Sequence, residues 1–367
     1  MLAAAPNSEI EARREAWIGL SLLPNWGPVS IWQAVGRSKN PLPVWQRFHT
    51  LFPAQPVAEA LAVAAKSGID VITYDEAGYP CNLRTAPAPP PVLYVKGTLL
   101  PQDAAAVAIV GSRRASAQAL QMAKELGREL AQKGITVVSG LAIGVDTYAH
   151  EGALEGGGTT IAVLGCGADI VYPQRNRQLA ARISQSGALV SEFACGMPPR
   201  AGHFPVRNKT IAGLALGTVV VEAGERSGAL ITAHLTQDCS RKLFACPADP
   251  KREHALGSNR LLQMTGVRLV LNVDDILNVL EPELKTCWQR NTVAPAHTDF
   301  VTFKSAVQPA QRPLAENLWH ILAEGPSHID EIALRVGTPC SAVRSCLAQL
   351  AAADRVICHP GDLYSLC

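Results

Sequence analysis

Residues 107–150, VAIVGSRRASAQALQMAKELGRELAQKGITVVSGLAIGVDTYAH, allow few folds. Four apolar residues, Val107 to Val110, end at Gly111-Ser112-Arg113-Arg114. A helix-period segment from Ala117 to Gln132 follows, and a second apolar run, Ile135 to Val138, stops at Ser139-Gly140. Strand, loop, helix and strand in that order make the repeating unit of a parallel sheet. Such sheets bind ligands outside the carboxyl ends of their strands, which points to the Gly-Ser-Arg-Arg turn and to the Ser-Gly-Leu-Ala-Ile-Gly turn. The first turn lacks the three glycines of a dinucleotide fingerprint and carries two arginines instead. That pattern implies phosphate gripped by side chains, and no cofactor pyrophosphate on bare backbone. No cofactor is expected.

The alternation continues, with strands near Thr160–Leu164, Ala188–Ser191, Thr218–Glu222, Lys242–Cys246 and Arg268–Leu271. Helical segments lie between them near Asn176–Gln185, Lys209–Leu216, Ala229–Ser240 and Asn259–Met264. The fold class is α/β, an extended Rossmann-like sheet. Cations collect after the strands: Arg113, Arg114, Arg175, Arg177, Arg200, His203, Arg207, Lys209, Arg226, Lys251, Arg252 and Arg260. If all seven strands run parallel, these side chains converge on one edge, and a site for a polyanion accounts for the set better than scattered solvated charges do. Within it, Phe204-Pro205-Val206-Arg207-Asn208-Lys209 is expected to place two cations and an amide at a helix start, where unpaired N–H groups favour an anion. Gly165-Cys166-Gly167 is a weaker signal, equally a tight turn. Glu222 ends the most β-branched strand; a structural role, capping the next helix or pairing with an arginine, is favoured over a catalytic one.

The flanks read differently. Residues 11–68 have a helical pattern, and Leu23-Pro24-Asn25-Trp26-Gly27-Pro28 resembles a helix-hairpin-helix turn, for which a packing role is favoured over phosphate binding. A proline-rich connector, Tyr79–Pro91, leads to Val92–Val95, an expected edge strand. Residues 286–312 are polar and proline-spotted, as in a linker, and 313–367 have the order of a winged helix-turn-helix. The second helix of that tail, Ser341–Leu350, offers only Arg344 and Gln349 for reading bases, so a protein-contacting or regulatory module is favoured.

Charge supports this division. Residues 1–75 carry six basic and six acidic side chains and residues 313–367 three and six, which leaves 24 and 19 for the central block. The net +2 thus hides a basic centre and an acidic tail. The chain has 367 residues, 48% of them hydrophobic, enough for two or three domains. No apolar run approaches the length needed to cross a bilayer, and the N-terminus lacks the pattern of a secretion signal. A cytoplasmic location is expected, and the ten cysteines, without a C-x-x-C pair, are expected to be reduced. Cys340, Cys346, Cys358 and His359 come nearest to a zinc pattern, but buried thiols are the better reading and no metal is expected.

Several motifs together resemble the DNA processing protein DprA (Smf) family over nearly the whole chain. They are Val110-Gly111-Ser112-Arg113; Ser139-Gly140-Leu141-Ala142-Ile143-Gly144-Val145-Asp146 with Ala149-His150; Ile161 to Gly165 with Tyr172-Pro173; Ser191-Glu192; Phe204 to Leu214; and Val221-Glu222-Ala223 with Ser227 to Ala233. The resemblance implies a sterile-alpha-motif-like helical domain over 1–75, an extended Rossmann fold over 76–285, a linker over 286–312 and a winged helix over 313–367. It also implies a single-stranded DNA-binding protein of natural transformation and recombination, not an enzyme. Such a protein shields incoming DNA, loads the RecA recombinase and forms a homodimer through its Rossmann domain. Carried over residue by residue, the DNA pocket uses Arg113, Asn208 and Lys209, with Gly111, Ser112, Arg114, Arg175, Phe204, Arg207 and Arg226 around them. The sequence departs from the family at Lys209, where arginine is common, and at Ala248, where glycine is usual.

The competing class is a Rossmann-fold nucleotide hydrolase that releases a base from a nucleoside monophosphate. It shares a Gly-Ser-x turn but adds a P-G-G-x-G-T loop backed by a glutamate, and that loop is absent from this sequence.

Overall fold

The computed structural model describes residues 6–49, 55–252, 255–291, 307, 311–324, 327–353, 355–359 and 363–366. It divides into two compact units, Met1–Glu281 and Pro282–Cys367. The first unit opens with helices α1 (Pro6–Leu22), α2 (Pro28–Val35), α3 (Leu42–His49) and α4 (Gln55–Lys66). Strand β1 (Asp70–Thr73), helix α5 (Cys81–Arg84) and strand β2 (Val92–Gly97) follow. The alternation then runs β3 (Ala106–Val110), α6 (Ala117–Gln132), β4 (Thr136–Ser139), α7 (Val145–Glu155), β5 (Thr160–Leu164), α8 (Arg177–Ser186), β6 (Ala188–Ser191) and α9 (His203–Leu214). It ends with β7 (Gly217–Val220), α10 (Gly228–Asp238), β8 (Lys242–Ala245), α11 (Leu256–Leu262), β9 (Val267–Leu269) and α12 (Val273–Asn291).

The nine strands form one sheet in the order β1-β2-β6-β5-β4-β3-β7-β8-β9. From β6 to β9 every pairing is parallel, so the seven expected strands do end on one edge. Strands β3 to β7 are buried along their whole length, as befits strands covered by helices on both faces. The order reverses at β3, whose neighbours β4 and β7 are followed by crossovers in opposite directions. That reversal opens a crevice above the end of β3, beside the Gly-Ser-Arg-Arg turn.

Val92–Val95 is not an edge. Strand β2 lies between β1 and β6, antiparallel to both, and Asp70–Thr73 takes the outer position. Tyr94 and Val95 are buried because both of their neighbours are present. The helical region shares this core: Trp17, Ile31 and Trp45 belong to the same buried cluster as Val92, Val110 and Val220. Its hairpin turn bends at Asn25, which adopts a positive φ of 64°, and Trp26 meets Phe48 edge-on at 4.9 Å.

Helix α12 continues to Asn291, past the start of the stretch read as a linker. Asn272 accepts from the N–H groups of Asp274 and Asp275 at its start, and Ile276, Leu280, Leu284 and Cys287 are buried at helical spacing. The second unit contains α13 (Arg312–Glu324), β10 (Ser327–His328), α14 (Ile329–Val336), α15 (Cys340–Ala352), β11 (Val356–His359) and β12 (Leu363–Leu366). A left-handed Gly337 ends α14, and β11 and β12 pair antiparallel as the wing, with β10 on the other side of β12. Cys346 is buried in this unit's core, whereas Cys340 is exposed and donates to Asp330.

Candidate nucleic-acid interface

A cleft of 730 Å³ lies at the carboxyl ends of the parallel strands. One wall is the turn after β3. Its backbone is fixed from several sides: Ser112 N–H donates to the Glu222 carbonyl at 2.6 Å, Val145 N–H donates to the Ser112 carbonyl, and the Ser112 hydroxyl accepts from Arg114 N–H at 3.0 Å. Ser116 accepts from Ala119 N–H and so caps α6. Ser116 is itself held by Glu222, whose two carboxylate oxygens take the Ser116 N–H at 3.0 Å and the Ser116 hydroxyl at 2.7 Å. Glu222 thus holds the start of α6, and among the described residues it neither caps the helix that follows it nor pairs with an arginine. A rigid turn results, with Gly111 and Ser112 lining the cleft and Arg113 and Arg114 exposed at its rim.

The opposite wall is the loop after β7 and the start of α10, from Gly224 to Thr232. Arg226 is exposed there, and among the described residues the guanidinium groups of Arg113, Arg114 and Arg226 have no ion pair. Ser227 caps α10 by accepting from Ala229 N–H, and the helix N-terminus at Gly228 and Ala229 opens on the cleft with its positive dipole end. Glu225, the one acidic side chain on this wall, is taken up by Arg260 at 2.5 Å.

The third side is α9. It begins at His203, six residues before the helix start expected at Lys209, because Pro205 falls in the first turn, where a missing N–H costs nothing. Phe204, Pro205, Arg207, Asn208 and Ile211 line the cleft. Phe204 is partly buried against Gly165, where a Cβ would approach the ring to 2.9 Å. The Arg113 guanidinium lies over the same ring at 5.6 Å from its centroid. Arg207 is only 4% exposed and forms the floor. Its guanidinium donates to the carbonyls of Gly140, at 2.6 Å, and Val163, and to Asn208 Oδ1 at 3.1 Å. A Cβ at position 140 would sit 2.5 Å from the Arg207 Nη1, which requires the glycine of the Ser-Gly-Leu-Ala-Ile-Gly turn.

Asp146 lies beside this floor and accepts from Gly140 N–H and Ala142 N–H. Burial raises its carboxyl pKa, while Arg207 and the two amides pull it back down. Burial likewise lowers the Arg207 value, and Asp146 opposes that shift. His150 is fully buried and bonded to Thr160, and burial, with the Arg207 charge, lowers it to about 3, so its ring is neutral.

Of the ten residues assigned to the DNA pocket, two lie outside the lining, and of the wider set of cations Arg177, Arg200, His203, Lys251, Arg252 and Arg260 also lie outside it. Arg175 is exposed on the turn before α8. Lys209 is on α9 but outside the lining, and its charge acts on Glu192, whose carboxyl accepts from the Thr210 hydroxyl at 3.0 Å. The structure brings the other eight together at the cleft: Gly111, Ser112, Arg113, Arg114, Phe204, Arg207, Asn208 and Arg226.

The model of DNA recombination-mediator protein A matches residues 70–281, more than half of the chain, and that of the DprA winged helix domain matches residues 304–362. The chain belongs to the DprA family. Protein Smf of Escherichia coli (strain K12) is 34% identical to it over 325 residues, which cover 88% of this chain and 83% of that one. The X-ray structure of DprA from Streptococcus pneumoniae superimposes with a TM-score of 0.60 at 30% identity, covering 75% of this chain and 98% of that chain. A structure of DNA processing protein A from Helicobacter pylori, described for its single-stranded DNA binding mode, gives 0.53 at 31% identity, covering 59% and 98%.

Sequence reasoning about this DprA chain missed the second wall beyond Arg226. Ala229, Ile231 and Thr232 line the cleft, and Ile231 is exposed. Their signal was the Ser227 cap: a serine that starts a helix at a strand end turns the first residues of that helix toward the ligand.

Proposed function

We propose that this cleft binds single-stranded DNA without catalysing a reaction, and that the protein shields incoming strands and hands them to the RecA recombinase in natural transformation and recombination. The observation that carries the reading is the set of exposed arginines, Arg113, Arg114 and Arg226, without an ion pair among the described residues, on facing walls of one cleft beside the Phe204 ring and the α10 N-terminus. Dispersed cations suit a long polyanion, and an aromatic face suits an unpaired base. The carboxylates near the site are engaged, Glu222 by Ser116 and Asp146 by backbone amides, which leaves neither free to act as a general acid or base. The single-strand binding named for the Helicobacter pylori relative supports the ligand, and the recombination-mediator family supports the RecA role.

A homodimer through the Rossmann unit belongs to the same proposal. Among the described residues strand β9 ends the sheet, and Leu269 and Leu271 are exposed there, as suits an edge that pairs with a second copy. Among the described residues no helix is long and apolar enough to cross a membrane, and the reading places the protein in the cytoplasm.

Gel shifts with single-stranded, double-stranded and mononucleotide competitors test the ligand. A long single strand is expected to compete far better than a mononucleotide. Equal competition, together with steady release of free base from a nucleoside monophosphate, would establish the hydrolase instead.

A further inference from the structure

The cleft accounts for Phe204 but not for the ring beyond it. Tyr172 is outside the cleft lining, in the loop that follows β5, and is 45% exposed. Its ring centroid is 5.7 Å from that of Phe204, with the two planes tilted by 44°. Phe204 in turn carries the Arg113 guanidinium over its own ring. Arg113, Phe204 and Tyr172 therefore form a continuous row that leaves the cleft and emerges on the surface. The chain just past Tyr172 supplies two more exposed cations, Arg175 and Arg177, neither of which lines the cleft.

The row is held rigidly. His203, which starts α9, stacks on Phe193 at 4.1 Å between centroids, and its Nδ1 lies 3.2 Å from the Gly165 carbonyl. Arg207 approaches the Phe204 ring to 5.9 Å on the buried side. A lone exposed tyrosine needs no explanation. This one adjoins the aromatic wall of a cationic cleft and leads toward further cations.

We propose that Tyr172 is a second base platform, which carries a bound single strand out of the cleft toward Arg175 and Arg177 and selects unpaired bases. The inference rests on the reading of the cleft as a single-strand site. The tilt supplies the selectivity. Bases in a duplex are parallel and about 3.4 Å apart along each strand, so their faces are covered by their neighbours and cannot meet two rings inclined to each other. A single strand rotates freely about its backbone and can lay successive bases on both rings. Stacking of this kind is indifferent to sequence, since every base has a face to offer.

The test measures the affinity of the full chain for a short oligothymidylate of about 4 nucleotides and a long one of about 16. Tyr172→Ala is expected to weaken the long oligonucleotide roughly tenfold, the effect of one lost stack, and to leave the short one unchanged, while Tyr172→Phe behaves as wild type. In Tyr172→Trp, fluorescence is expected to be quenched by the long single strand and not by duplex. Arg113→Ala serves as the control and weakens both lengths. Unchanged affinity of Tyr172→Ala for the long strand, equal losses at both lengths, or equal quenching by duplex would overturn the platform. If Arg113→Ala alters neither length, the cleft reading itself falls and the platform falls with it.

Discussion

Two stretches of this DprA chain place arginines at the same cleft, and they use them in opposite ways. On the turn after β3, Arg113 and Arg114 stand exposed at the end of a backbone that Glu222 and Ser116 have already fixed. On α9, Arg207 is buried, and its donors are occupied by the Gly140 and Val163 carbonyls and by Asn208. The first arrangement leaves charge available to a ligand. The second joins the ends of β4 and β5 to α9 and sets the shape of the floor. An arginine after a parallel strand can thus be either a contact or a strut, and what decides is whether the carbonyls around it have other donors.

The largest expected effect falls on the strut. Arg207→Ala strips donors from two buried carbonyls, at a cost of about 1–3 kcal/mol for each acceptor left unsatisfied, and removes the charge that lowers the Asp146 carboxyl pKa, which a thermal or denaturant melt would register. Arg207→Lys is expected to rescue little, because an ammonium cannot span the same forked set of acceptors. If Arg207→Ala melts like wild type, the contrast between strut and contact is broken. Phe204→Ala comes next: single-strand affinity should fall by roughly 1–3 kcal/mol with little sequence preference. A melt that drops in parallel would assign Phe204 to the floor and not to the ligand.

A smaller effect sharpens the α9 side. Burial pushes the Glu192 carboxyl up to about 7, against the Thr210 hydroxyl and the Lys209 charge, which lower it. The unfolded chain releases this proton near 4.5. Between those values the folded state binds more protons, so this group makes stability fall as pH rises from about 4.5 to about 7. Glu192→Gln is expected to flatten that fall without changing single-strand affinity, measured by melts across the window. An unaltered pH profile would mean that burial does not hold the Glu192 carboxyl above its ordinary value.

Much of the fold was legible because apolar runs closed by glycine, such as Val107–Gly111 and Ile161–Gly165, mark buried parallel strands by their length alone. Strand β1 was not, since four residues after a helical region carry no periodicity of their own and gain it only by pairing with β2. The start of α9 was hidden by Pro205, which reads as a breaker until its place in the first turn is known. Helix α12 was not read, because the polar composition from residue 286 reads as a linker, although Ile276, Leu280, Leu284 and Cys287 recur at helical spacing. At the site, residue type gave the cations and not their roles. Neither the burial of Arg207 nor the place of Lys209 outside the cleft lining follows from one chain's sequence, although Gly140, which leaves room for a guanidinium, was the available clue to the first.

The central claim is that Arg113 meets the phosphates of a single strand, and the dependence of affinity on salt tests it most directly. Each phosphate contact releases condensed counterions, so Arg113→Ala is expected to flatten the plot of log affinity against log salt by about 0.7 for single-stranded DNA. All sequences should be affected alike, and the melting temperature should hold, because an exposed, unpaired cation contributes little to stability. A salt slope that Arg113→Ala leaves unchanged, in a protein that is still folded and still binds, would contradict the account.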